Sequence, residues 1–241
     1  MMTELESQIN LDEKNAGISW KLLLTSLLAV AAGVWVAAEL LPTWLPGLTQ
    51  SILGSDIKVF WYLSRGSAVV AYGLLWFSMI LGLLMSNRMS RTWPGPAMVN
   101  EFHQFISILG LAFVLVHALI LMGDQYIHYS LVQVLTPFTS FEYRPFWVGL
   151  GQMSFYLWLG LVISFYVRKQ IGNRTWRLLH YVSFFAFLGA AIHGITSGTD
   201  SAEPWMQIMY WVSSGSILFL LIYRILMATV GKTLTAKQTH V

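Results

Sequence analysis

Residues 99–122 read VNEFHQFISILGLAFVLVHALILM. After Glu101 this run holds no charged residue, yet it carries two histidines, His103 and His117. A helix needs about 20 mostly apolar residues to cross the hydrocarbon core of a bilayer, so the stretch predicts a membrane span. The two histidines are fourteen residues apart. On a helix that places them about 21 Å apart along the axis and only about 40° apart around it. They share one face. Gly110 lies midway on the same face, where a missing Cβ leaves room for a macrocycle or a close helix.

Five other stretches read the same way. They run from Ile18 to Leu41, Tyr62 to Met85, Trp147 to Val167, Trp176 to Thr196 and Trp205 to Met227. Breaker-rich segments separate them, such as Pro42-Thr43-Trp44-Leu45-Pro46-Gly47 and Trp93-Pro94-Gly95-Pro96. Of the 241 residues, 56% are hydrophobic and 10% charged, against roughly 25% charged in soluble domains. Trp20, Trp44, Trp61, Trp93, Trp147, Trp176 and Trp205 cluster at the span ends as an aromatic belt. The expected fold is an all-α membrane protein, a six-transmembrane-helix bundle over 18–227, between an amino tail (1–17) and a carboxyl tail (228–241).

Lysine and arginine orient it. Lys14, Lys21, Arg88, Arg91, Arg168, Lys169, Arg174, Arg177, Arg224, Lys232 and Lys237 fall on one side, and Lys58, Arg65 and Arg144 on the other. The positive-inside rule puts the first side, with both termini, in the cytoplasm, and predicts a multi-pass protein of the cell inner or plasma membrane. The acidic amino tail lacks the basic start of a secretory signal. Basic residues so spread do not form a nucleic-acid patch. The longest connection, Gly123 to Phe146, is aromatic and faces outward. It either folds back as a lid or docking surface, or lies on the interface.

Ionisable side chains inside a span are costly and are functional candidates by default. His103 and His117 are in the third span, His180 and His193 in the fifth. Both spans start on the cytoplasmic side, so His103 and His180 share an inner level and His117 and His193 an outer one. Two imidazoles from two helices at each level suit iron held axially in a porphyrin between helices. Zinc usually needs a third and fourth ligand, which neither level supplies. The chain has no cysteine, which removes thiolate sites, iron–sulfur clusters and covalent haem attachment. One angle is awkward: His180 and His193 are thirteen residues apart, about 140° around a straight helix. A bend or change of winding is expected between them, near Ser183 or Gly189. His128, in a loop, and His240, in the tail, are not expected ligands.

These histidines resemble those of the ferric reductase-like transmembrane domain. That family spans eukaryotic ferric reductases, NADPH oxidases and the bacterial haem-binding membrane subunit of the methionine sulfoxide reductase system. The similar motifs are His103-Gln104-Phe105 through Val116-His117, and His180-Tyr181-Val182 through Gly189-Ala190-Ala191-Ile192-His193-Gly194. The resemblance covers roughly Trp61 to Met227. It implies two haem b groups stacked between helices 3 and 5, on His103 with His180 and on His117 with His193. Ser64-Arg65-Gly66 also resembles the family, and Arg65 would pair with an outer-haem propionate or snorkel at the interface. Arg88, Arg91, Arg174 and Arg177 are candidates for inner propionates, though topology already accounts for them. Glu101, two residues before His103, either supports that histidine from behind or simply begins the helix. Larger family members continue into flavin- and nicotinamide-binding domains, whereas only fifteen residues follow Leu226 here and no Gly-rich dinucleotide loop occurs. The family's small bacterial member binds FMN, but no FMN motif stands out in this sequence.

The resulting expectation is a di-haem electron relay, the electron-transfer component of an oxidoreductase. Electrons pass from a separate flavoprotein or membrane quinol donor to a redox protein or small acceptor outside. Two alternatives are a haem subunit of a larger respiratory or redox complex and a stand-alone reductase of external ferric iron or oxygen. A transporter with a histidine proton path would want carboxylates along a pore. Only Glu39 and Glu101 lie near span ends, and none lies mid-span. Phe184, Phe185 and Phe187 are either spacers between macrocycles or ordinary packing and lipid-facing residues.

Overall fold

The computed structural model describes residues 59–87, 89, 95–123, 129–141 and 143–238, with eight positions between 24 and 35. Two compact units divide the chain, Met1–Val59 and Phe60–Val241. In the first, Leu24, Leu27, Leu28, Val30 and Trp35 are helical and exposed. The rest of the expected first span, the amino tail, His128 and His240 lie outside the described residues.

The described residues of the second unit are mostly helical, with no strand among them. Its helices are α1 (Val59–Ser86), α2 (Pro96–Ile120, continued by a 3-10 turn over Leu121–Gly123), α3 (Leu131–Leu135), α4 (Pro145–Tyr166), α5 (Arg168–Ile171), α6 (Asn173–His180), α7 (Val182–Ser197) and α8 (Pro204–Gln238). Five segments are long and apolar enough to cross a membrane: Phe60–Ser86, Pro96–Gly123, Pro145–Tyr166, Asn173–Ser197 and Pro204–Met227. They match the second to sixth expected spans. Beyond Met227, α8 continues to Gln238, so the expected carboxyl tail is largely helix.

Proline sets three of the starts. Pro96, Pro145 and Pro204 each stand at the first position of a helix, where an absent N–H leaves nothing unbonded. Gly95, before Pro96, has φ 106°, a conformation that a side chain would resist. The fifth span is two helices rather than one. After His180 the chain tightens at Tyr181, whose N–H bonds Leu178 O at 3.2 Å and whose carbonyl accepts from Phe184 N at 3.2 Å. These i→i−3 bonds wind the backbone by about 120° per residue instead of about 100°. The change of winding expected between His180 and His193 is therefore at Tyr181, two residues before Ser183.

Small polar residues let the helices approach. Tyr72 Oη meets Ser213 Oγ at 2.6 Å, and Trp76 Nε1 donates to Ser216 Oγ at 2.9 Å. Arg224 donates to Ser86 O at 2.7 Å, so α1 and α8 run parallel. Tyr72 also stacks on Phe187 at 5.8 Å and meets Tyr210 edge-on at 5.3 Å. Phe187 is thus buried core, Phe184 packs against the same cluster, and Phe185 is 68% exposed on the outside. Serines 64, 78, 154 and 213 are all buried, as close-packed membrane helices favour.

Gly110 takes a close helix, one of its two expected uses. The space over it is occupied by the indole of Trp158, from α4: an added Cβ would sit 2.5 Å from Trp158 Cη2 and 3.2 Å from Leu74 Cβ. Gly110→Ala should therefore lower stability by about 1–3 kcal/mol, the usual cost of overpacking. Gly160→Ala, whose Cβ meets nothing within 4 Å, should be neutral or stabilising. Thermal unfolding in detergent, followed by circular dichroism, checks both.

Candidate functional site

The four span histidines meet in two pairs. His103 on α2 and His180, the last residue of α6, have ring centroids 6.0 Å apart and planes at 70°. His117 on α2 and His193 on α7 have centroids 6.3 Å apart and planes at 68°. These are the pairs that the level argument predicts, and they require α2 and the α6–α7 segment to run in the same direction.

Each ring has a polar edge that cannot be left bare among apolar helices. His117 Nδ1 lies 2.9 Å from Ser64 O and 2.9 Å from Ser64 Oγ. His103 Nδ1 lies 2.9 Å from Ser78 O and 3.1 Å from Ser78 Oγ. Both acceptor carbonyls are on α1. His193 Nδ1 lies 2.9 Å from Trp147 O, on α4. A carbonyl only accepts, so Nδ1 must carry the proton and donate it. The lone pair is then on Nε2, at the far edge of the ring, free to bind a metal.

His180 differs. Its Nδ1 is buried and finds no acceptor among the described residues. The indole of Trp176, one turn earlier, lies tilted across the ring at 5.1 Å instead. The tight turn at Tyr181 falls between His180 and the part of the fifth span that packs regularly on α4. It shifts His180 out of the register in which His193 meets Trp147 O.

The spacing of the pairs is informative. A metal–imidazole nitrogen bond is about 2.0–2.1 Å and the nitrogen lies about 1.1 Å from its ring centre, so two axial imidazoles on one ion set their centroids about 6.3 Å apart. The observed separations of 6.0 and 6.3 Å fit that geometry. No group of three or more His, Cys, Asp or Glu is close enough to cage an ion among the described residues. Two histidines per level fall short of the third and fourth ligands that zinc usually takes.

Arg65 is engaged within the protein. Its guanidinium pairs with Asp200, Nε donating to Oδ2 at 2.7 Å, and stacks over Trp61 at 4.2 Å. The pair ties the start of α1 to the turn after α7. Arg174, Arg177 and Glu101 are exposed, and Arg88 and Arg91 lie outside the described residues. At the Pro145 end of α4, an open cleft of about 400 Å³ is lined by Arg144, Pro145, Phe146, Trp147 and Thr196.

Sequence reasoning missed the groups that hold the rings. Ser64 and Ser78 are fourteen residues apart, the same step as His103 and His117. On two antiparallel helices a shared step is what lets both contacts form, and that match was available as a signal. Gly151 was also missed: a Cβ there would lie 2.7 Å from His193 Cγ and Nδ1, so only glycine lets the ring reach α4. Trp147 acts through its carbonyl, for which no residue type is a sign. No protein-family model matches this chain, and neither does any curated protein or any solved structure.

Proposed function

We propose that this chain is a di-haem b cytochrome of the membrane that relays electrons between its two faces. The observation that carries the reading is the pair of facing imidazoles at each of two levels, 6.0 and 6.3 Å between centroids, three of the four rings fixed at Nδ1 by backbone carbonyls. His103 and His180 would hold one haem, and His117 and His193 the other. The haem supplies reversible one-electron chemistry at iron; the protein sets ligation, spacing and dielectric.

The chain's own part is positional. α2 separates the two levels by about 21 Å of helix rise. The Ser64, Ser78 and Trp147 carbonyls hold three imidazoles in the tautomer that leaves Nε2 bare. Apolar helices keep water from the gap between the levels. The basic residues orient the His103–His180 level toward the cytoplasm, with the first span completing a six-helix bundle. The donor is a separate flavoprotein or a quinol and the acceptor is on the opposite face. A second reading, in which a small acceptor such as ferric iron or oxygen is reduced directly, would use the open cleft at Trp147, whose carbonyl holds His193.

The purified chain should show a Soret band and a pyridine haemochrome yield of two haems per polypeptide. His117→Ala and His103→Ala should each lose about one of the two, and the double variant both. A preparation with no Soret band, or a haem count that His117→Ala leaves unchanged, would sink the proposal.

Gly151→Val should act at one level only. Its side chain displaces the His193 ring, so about half the haem should be lost or become high-spin, with the remainder spectrally normal. Low-temperature electron paramagnetic resonance, which resolves the two centres, checks this.

A further inference from the structure

The sequence leaves the connection between α2 and α4 either a lid or docking surface or a loop lying on the interface, and its hydrogen bonding is that of a segment sunk in lipid. α3 has five residues and would leave its last carbonyls without partners. In water they would need none. Here each is met by the protein. Val132 O accepts from Thr136 N at 2.8 Å. Gln152 Nε2, from α4, donates to Gln133 O at 2.6 Å and Val134 O at 2.7 Å. Tyr156 Oη, also from α4, donates to Leu135 O, and Thr139 Oγ1 to Thr136 O at 2.8 Å. At the other end, Ser130 and Gln133 form a reciprocal capping box.

The depth of these contacts matters. Gln152 and Tyr156 lie seven and eleven residues into α4, about 10 and 16 Å from its first residue. Helical side chains lean toward the N-terminus, so the carbonyls they reach lie about one to two turns below the Pro145 end. Phe138, held at φ 65°, lays its ring on Gly149, one turn into α4, where a Cβ would overlap it. A span of 22 residues barely exceeds the hydrocarbon thickness of about 30 Å. A segment that far down its side is therefore at acyl-chain depth, where unpaired backbone groups are excluded.

Composition agrees. Residues 129–141 read YSLVQVLTPFTSF, with no charge. Leu131 is 49% and Val132 66% exposed, and Leu135 also faces outward.

We propose that α3 is embedded in the lipid at the Pro145 end of the bundle, with Leu131, Val132 and Leu135 against acyl chains and its carbonyls capped by Gln152 and Tyr156. The occupant of this face is lipid, not a docking protein. The inference does not depend on haem.

The absence of cysteine makes the test direct. Val132→Cys and, separately, Leu135→Cys would be spin-labelled in the full chain and reconstituted in phosphatidylcholine–phosphatidylglycerol vesicles. Collision with oxygen and with a water-soluble nickel chelate would then be measured. Thr199→Cys, exposed in the turn after α7, is the aqueous reference, and Phe219→Cys, 66% exposed in α8, the lipid reference. Either α3 label should resemble Phe219→Cys, with high oxygen and low nickel accessibility. Adding Gln152→Leu should raise nickel accessibility at Val132→Cys severalfold, as the uncapped turn leaves the lipid. Nickel accessibility equal to that of Thr199→Cys at both sites would overturn the proposal. So would protection that arises only when a protein partner is added.

Discussion

The structure depends on hydrogen bonds from imidazole Nδ1 to backbone carbonyls of neighbouring helices. A histidine inside an apolar bundle must satisfy its polar edges locally, because lipid offers no partner. A helix carbonyl already accepts one bond but has a second lone pair. Ser64, Ser78 and Trp147 supply that second acceptance to His117, His103 and His193. Each bond joins two helices, selects a tautomer and orients a ring. Stability and site geometry are thus the same contacts seen from two sides.

This constraint sets helix register. Two rings of α2 reach two carbonyls of α1 only if the fourteen-residue steps coincide on antiparallel helices, which fixes the sliding position of one helix on the other. Close approach follows. The serines at the contacts are small and buried, and their hydroxyls add to the same bonds. On the opposite side, Gly151 lets His193 come within reach of α4. Trp158 fills the notch at Gly110 between the two levels, so the spacing of the pairs is held by packed side chains.

The two levels are not equivalent. At His117 and His193 both rings are anchored. At His103 and His180 only one is, and the difference traces to the tight turn at Tyr181. A straight helix would have left His180 about 140° from His193. The turn at Tyr181 brings the rings toward a common face, and Trp176 stacks on the His180 ring.

Sequence showed the spans and the pairing clearly, because both rest on side-chain identity repeated at helical spacing. It placed His103 with His180 and His117 with His193, and it called for a distortion between His180 and His193. It failed where the backbone acts. Ser64 and Ser78 could be found only by matching their step to that of the histidines, and Trp147 contributes an atom that every residue has. The ion pair of Arg65 escaped for a related reason. Its partner Asp200 lies 135 residues away, and a span-by-span reading does not bring the two together. α3 is the sharpest instance. Five residues, four of them apolar, are too few to read as a membrane element, and only the capping of its carbonyls by Gln152 and Tyr156, two residues that a sequence presents as ordinary polar positions on a span, reveals the medium in which it lies. Where the solvent is lipid, the backbone's hydrogen bonds must close within the protein. The side chains that close them then report depth more directly than hydropathy does.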